Sequence, residues 1–247
     1  MKSFTAYIRK ALLKKGYRIQ SFPDLDVEPE FMKLHEQVKA YTMTSFERQH
    51  ALYRAVQYIT DAGIKGDVVE CGVWKGGSSM LIAETLQAKG DASRILYLYD
   101  TFAGMSEPTD KDVSRTGSAQ NKWKKLARAD FNEWDYAPLE EVKKNLQNTG
   151  YPSEKISYVV GKVEDTIPQT LPESIALLRL DTDWYESTKH ELTHLFPRLA
   201  KNGVLIIDDY GHWEGARAAV DEYIKEQNIT IFLNRIDYTG RLGIKTV

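Results

Sequence analysis

Cysteine is almost missing from this sequence: Cys71 is the only one. An internal disulfide is therefore excluded, and the usage fits a reducing compartment. No apolar run approaches the roughly 18 residues needed to cross a bilayer, so stable membrane insertion is not expected. Neither sign of charge dominates, since 33 Lys and Arg face 35 Asp and Glu. That balance offers no global field for nucleic acid or a membrane surface. Repeats and low-complexity tracts are lacking as well. The remaining picture is a cytoplasmic chain of 247 residues, long enough for one large α/β domain with a substantial core.

Acids are missing from one stretch in particular. Residues 1–20 carry Lys2, Arg9, Lys10, Lys14, Lys15 and Arg18 without a carboxylate, and Phe4, Ile8, Ala11 and Leu12 fall at helical spacing. A signal peptide would need a longer apolar centre and a cleavage site. A basic amphipathic helix could lie on a membrane; packing on its own domain or on a second subunit of a homo-oligomer is the preferred reading. Residues 1–40 are thus expected to be a helical extension, with 21–38 as its connecting segment, and residues 41–247 the main domain.

Within that domain strands and helices alternate. Thr44 and Glu47 have capping-box spacing and open a helix that stops near Gly63. The run that starts at Asp67 reads as the first strand, closed by the acid Glu70, with Ile95 to Asp100 as the second and Ile156 to Val160 as the third. Pro138 starts a helix through Asn148. Ser187 and Thr188 are expected to cap the helix after the central strand, Thr188 and Glu191 having capping-box spacing, and Gly203 to open the next strand. Ile229–Leu233 and Leu242–Val247 read as a closing antiparallel hairpin.

Two apolar runs end in acids. Ile175 to Leu180 is followed by Asp181 and Asp183, and Val204 to Ile207 by Asp208 and Asp209. Buried parallel strands look like this, and α/β sheets bind ligands beyond their C-terminal edge. Adjacent strands would crowd these carboxylates, which is costly without a cation or shared protons. The pattern asks for a hard metal ion.

The first strand runs through Glu70 into Gly72, Gly76 and Gly77, with Ser78 or Ser79 near the next helix start. This is a nucleotide-type cradle, but Trp74 stands where a dinucleotide fingerprint has its second glycine. Glu70 would repel a pyrophosphate and attract an ammonium or sulfonium group, and the helix start suits a carboxylate. One ligand with an amine, a carboxylate and a cationic centre is S-adenosylmethionine. Asp100 would hold its ribose, and the loop with Glu164 and Asp165 would reach its adenine. Residues 103–137 are polar and irregular, with a short helix near Lys122 to Arg128; that length suggests a lid.

Four ordered motifs then carry a resemblance: Glu-Cys-Gly-Val-Trp-Lys-Gly-Gly, Tyr-Asp-Thr-Phe-Ala-Gly-Met, Leu-Asp-Thr-Asp-Trp-Tyr-Glu-Ser-Thr and Ile-Asp-Asp-Tyr-Gly. From about Met43 onward the chain resembles the macrocin O-methyltransferase family, metal-dependent enzymes that methylate sugar or phenolic hydroxyls of natural products. The resemblance implies a Rossmann-like class I methyltransferase sheet of seven strands, mostly parallel with an antiparallel last strand and helices on both faces. It also implies Mg²⁺ on Asp181, Asp208 and Asp209, with Asp183 as general base. Asp181 and Asp183 could exchange roles, and His212 is a further candidate contact with a small-molecule hydroxyl acceptor; His190 belongs on an exposed helix face. Thr44, Gly72, Ser78 and Ser106 join Glu70, Asp100, Glu164 and Asp165 as candidate cofactor contacts. Two other functions are weighed: a nicotinamide-dependent oxidoreductase, disfavoured by Trp74 and Glu70, and a silent binding subunit, disfavoured because no metal acid is missing.

Overall fold

The computed structural model describes residues 27–246, so the basic segment 1–20 lies outside the described residues. Strands β1 (Asp67–Cys71), β2 (Leu96–Asp100), β5 (Ile156–Val160), β6 (Ile175–Leu180), β7 (Leu199–Ile207), β8 (Asn234–Arg235) and β9 (Arg241–Ile244) form one sheet. Their order is β5-β2-β1-β6-β7-β9-β8. The first five are parallel, and β9 runs antiparallel to both β7 and β8. The chain winds one way from β1 through β2 to β5, then returns to β6 on the other side. That reversal opens a crevice beside β1, where doubly wound sheets take their ligands.

Strand side chains alternate between two apolar layers, as a period of two requires. Val68, Leu96, Leu98, Leu177 and Ile206 pack on one face against α1 (Pro29–Val38), α2 (Phe46–Asp61), α3 (Gly77–Ala88) and α5 (Leu139–Gln147). Val69, Cys71, Tyr99, Leu178, Leu205 and Ile207 pack on the other against α6 (Val163–Thr166), α7 (Tyr185–Leu195) and α8 (Glu214–Glu226). The segment 103–137 carries a hairpin of β3 (Val113–Ser114) with β4 (Gly117–Ser118) and a helix, α4 (Ala119–Leu126). It is more regular than its polar sequence suggested.

Several local expectations are corrected. Residues 29–38 are a helix with Phe31 and Val38 fully buried, not a connector; Pro29 fits its first turn. The cap of α2 is Ser45, which accepts from the Arg48 N–H, while Thr44 bonds Thr42 instead. Neither Ser187 nor Thr188 caps α7: Asp112, 73 residues away, accepts from the Tyr185 N–H at 2.8 Å. Strand β7 begins at Leu199, four residues before Gly203. The closing hairpin pairs Asn234–Arg235 with Arg241–Ile244, so Ile229 to Leu233 supply side chains rather than a strand.

Candidate active site

Parallel pairing places Leu180 beside Ile207, so Asp181 and Asp208 leave adjacent strand ends together. The Asp208 N–H donates to Leu180 O and the Asp181 N–H to Cys71 O, which fixes both backbones. One carboxylate oxygen from each of Asp181, Asp208 and Asp209 lies within 4.8 Å of the others. Asp209 Oδ2 is buried with no hydrogen-bond partner among the described residues. Asp183, held at a left-handed φ of 69°, lines the same cavity and meets the Asp209 carboxyl.

Burial, followed by mutual repulsion, pushes Asp181 and Asp209 well above the ordinary carboxylate range. Burial likewise lifts Asp183 to about 7. Two arginines counter the crowding. Arg179 Nη2 lies 2.7 Å from Asp181 Oδ2 and 3.0 Å from Asp208 Oδ1, and Arg48 Nη1 bonds Asp208 Oδ2. Burial, helped by the Arg48 and Lys122 cations, lowers His212, favouring its neutral form.

The glycine turn faces these acids. Gly72 has φ 85°, and a Cβ there would sit 2.1 Å from Asp181 O, so only glycine lets the two loops meet. Trp74 is also left-handed, at φ 47°. Asp100 holds the turn in place: its carboxylate accepts from the N–H groups of Val73 at 2.6 Å, Trp74 at 3.2 Å and Phe102 at 2.7 Å.

A cavity of about 330 Å³ separates the turn from the acids. Six carboxyl groups and three fixed cations line it, an acidic surface suited to a sulfonium or metal cation. Met105, Lys122, Trp134, Asp135, Trp213 and Tyr238 also line it. Trp134, Trp184 and Trp213 form a buried cluster with ring centroids 5.0 to 6.1 Å apart. Lys122 Nζ caps Trp134 at 3.6 Å. A recess of about 60 Å³ continues between Asp100 and Gly161 to Glu164.

The expected site residues distribute unevenly. Thr44, Gly72, Ser78, Asp100, Asp181, Asp183, Asp208, Asp209 and His212 line the main cavity; Ser106 and Glu164 line the recess. Two are corrected. Glu70 lines neither space: it is buried beneath the acids, where Ser79 donates to it and Arg179 Nη1 lies 2.6 Å away. Asp165 is exposed and lines neither. His190 is half-buried against Ile167 O. Sequence reading missed Arg48, Arg179, Lys122 and Asp135. An arginine inside the apolar run Ile175–Leu180 was the one available signal, because a buried charge demands partners.

This sheet order and cavity define a Rossmann-like methyltransferase domain. The family model described as macrocin-O-methyltransferase matches residues 26–242. The chain belongs to that family and is an S-adenosylmethionine-dependent O-methyltransferase. It is 34% identical to the 8-demethyl-8-(2,3-dimethoxy-alpha-L-rhamnosyl)-tetracenomycin-C 4'-O-methyltransferase of Streptomyces olivaceus, over 94% of this chain and 88% of that one. It is 33% identical to the demethyldecarbamoylnovobiocin O-methyltransferase of Streptomyces niveus, over 81% and 74%. Among solved structures, the O-methyltransferase NovP superposes with a TM-score of 0.72 at 32% identity, covering 84% of this chain and 83% of that one. The oxidoreductase reading is set aside. No helix among the described residues is long and apolar enough to cross a membrane.

Proposed function

We propose that this enzyme moves a methyl group from S-adenosylmethionine to a hydroxyl of a sugar or of a glycosylated or phenolic natural product, with Mg²⁺ at the acidic cluster. The observation that carries the metal is the orphaned, buried Asp209 Oδ2 beside converging oxygens of Asp181 and Asp208. An all-oxygen set favours Mg²⁺ over softer ions, and these three residues would hold it. When bound, the ion would supply positive charge to stabilise the acceptor oxygen as its proton leaves.

The other steps fall to the chain itself. Methyl transfer is an in-line displacement, so alignment of donor and acceptor across one cavity can supply about 7 to 11 kcal/mol of barrier reduction. Gly72, Ser78 and Asp100 form the donor wall, and Thr44, Ser106 and Glu164 extend it. Asp183 accepts the acceptor's proton, with His212, or Asp181 in exchanged roles, as the second candidate. The Trp134 side covers the site as a lid and excludes water. The Streptomyces olivaceus relative, whose name places its acceptor on a rhamnosyl-bearing tetracenomycin, supports this acceptor class. We assign the enzyme to the cytoplasm as a homo-oligomer without a nucleic-acid partner. Labelled S-adenosylmethionine with a panel of glycosides, sugar nucleotides and catechols tests the assignment: transfer to none of them would overturn it.

A further inference from the structure

Asp208 has both oxygens engaged by cations, yet the two arginines differ in freedom. Arg179 is sealed between Glu70, Asp181 and Asp208, with 2% of its side chain exposed. Arg48 enters from the first turn of α2, lines the cavity and keeps 13% exposure. Its Nη1 bonds Asp208 Oδ2, while its Nε lies 3.1 Å from Asp237 Oδ2. Asp237 is a fixed berth. Its Oδ1 accepts from the N–H groups of Thr239 at 2.9 Å and Gly240 at 2.7 Å, and Ser45 Oγ donates to Oδ2 at 2.7 Å. Although burial opposes ionisation, these donors and Arg48 hold its carboxyl below the usual range, so the berth stays charged.

We propose that Arg48 is a displaceable counter-ion: it neutralises Asp208 in the cation-free enzyme and retires onto Asp237 when a divalent cation takes Asp208. The proposal rests on the metal reading above. A guanidinium and a divalent ion cannot both lie on one carboxylate oxygen without strong repulsion, and Arg179 has no room to leave. Arg48 has an anionic partner already in contact, so releasing Asp208 leaves no charge stranded. The site would therefore bind its cation more weakly than three bare acids, while remaining folded without it. Arg48 is a positioning residue here, acting through Asp208.

The test is calorimetric titration of MgCl₂ and MnCl₂ into chelator-stripped full-length protein, without donor or acceptor. Arg48→Met keeps the length and removes the charge. Removing a unit positive charge that contacts a ligand of a divalent ion should tighten binding roughly tenfold. Asp237→Asn removes the charged berth and should weaken binding several-fold. Unchanged or weaker affinity in Arg48→Met would overturn the proposal, because a residue that merely positions Asp208 gives that sign. Unchanged or tighter binding in Asp237→Asn would also overturn it, and decides alone if Arg48→Met does not fold. Heat with wild type but no such shifts removes only the role of Arg48. No heat with any of the three proteins removes the metal reading itself.

Discussion

Arg179 and Glu70 are direct cross-strand partners on β6 and β1, with Nη1 2.6 Å from Oε1 and both side chains almost wholly buried. The acid that the sequence offered to the cofactor is the counter-charge of an arginine that Asp181 and Asp208 also lean on. Burial pushes Glu70 up while Arg179 pulls it down, which is how a strained but compensated pair behaves. Removing one member of such a pair costs about 3 to 5 kcal/mol, because the other charge is stranded. Arg179→Met should lower the unfolding free energy by that amount in urea titrations. Adding Glu70→Gln should recover part of it, the rest reflecting Asp181 and Asp208, and so give a measurable coupling in the cycle. For S-adenosylhomocysteine binding by calorimetry, Asp100→Asn should weaken affinity about tenfold, since three backbone donors lose a charged acceptor. Glu70→Gln should bind nearly as wild type; a larger loss there than in Asp100→Asn would return Glu70 to the donor wall.

Asp112 ties the segment 103–137 to the acidic loop. It is fully buried, accepts from Tyr185 N–H with one oxygen, and accepts from the Thr109 N–H and hydroxyl with the other. Asp112→Ala should cost about 1 to 2 kcal/mol as a lost helix cap. The effect should extend to exchange kinetics. Amides of 103–137 are expected to exchange faster than those of β1 and β6, and to slow when S-adenosylhomocysteine and acceptor are both bound. Slow exchange already in the free protein would make this segment a fixed insert.

Glu191 gives a pH dependence with a definite sign. It is fully buried on α7, with Oε1 accepting from Thr182 Oγ1 at 2.8 Å and the buried Cys71 thiol against its carboxyl. Burial raises it well above its ordinary value. The folded state therefore holds a proton that the unfolded chain releases above about pH 4.3, and stability declines as pH rises from there toward the folded value. Glu191→Gln keeps the acceptor for Thr182 without the proton. The variant should match wild type near pH 4 and exceed it by about 1 kcal/mol or more at pH 8. Equal denaturation midpoints at both pH values would show that Glu191 does not carry the proton.

What the sequence made legible follows a simple division. Apolar runs with terminal acids revealed β6, β7 and the Asp181–Asp208–Asp209 cluster, because a strand end is a local feature. The glycine turn was legible for the same reason. Asp112 as the cap of α7 was not, since its partner lies 73 residues away and Ser187 and Thr188 offered a plausible local cap. Arg48 and Asp237 meet only because α2 and the β8–β9 turn converge at the sheet edge. The pairing of Glu70 with Arg179 was not legible either, because an acid at a strand end can face the crevice or the core and its partner lies 109 residues away.

The acidic cluster and Asp183 should separate under mutation. Chelation is expected to abolish turnover, and added Mg²⁺ to restore it, if Asp181, Asp208 and Asp209 hold the ion. Asp208→Asn and Asp209→Asn should each raise the Mg²⁺ concentration for half-maximal rate, since each removes a charged oxygen ligand. Asp183 lines the same cavity but stands outside the converging set of three. Asp183→Asn should instead lower kcat by about 10² to 10⁴, the usual worth of a general base, with calorimetric Mg²⁺ affinity largely kept. The reverse pattern, lost affinity in Asp183→Asn and a pure kcat defect in Asp181→Asn, would exchange the roles of these two residues. Full activity in a chelated preparation would leave all four as ordinary contacts to the acceptor.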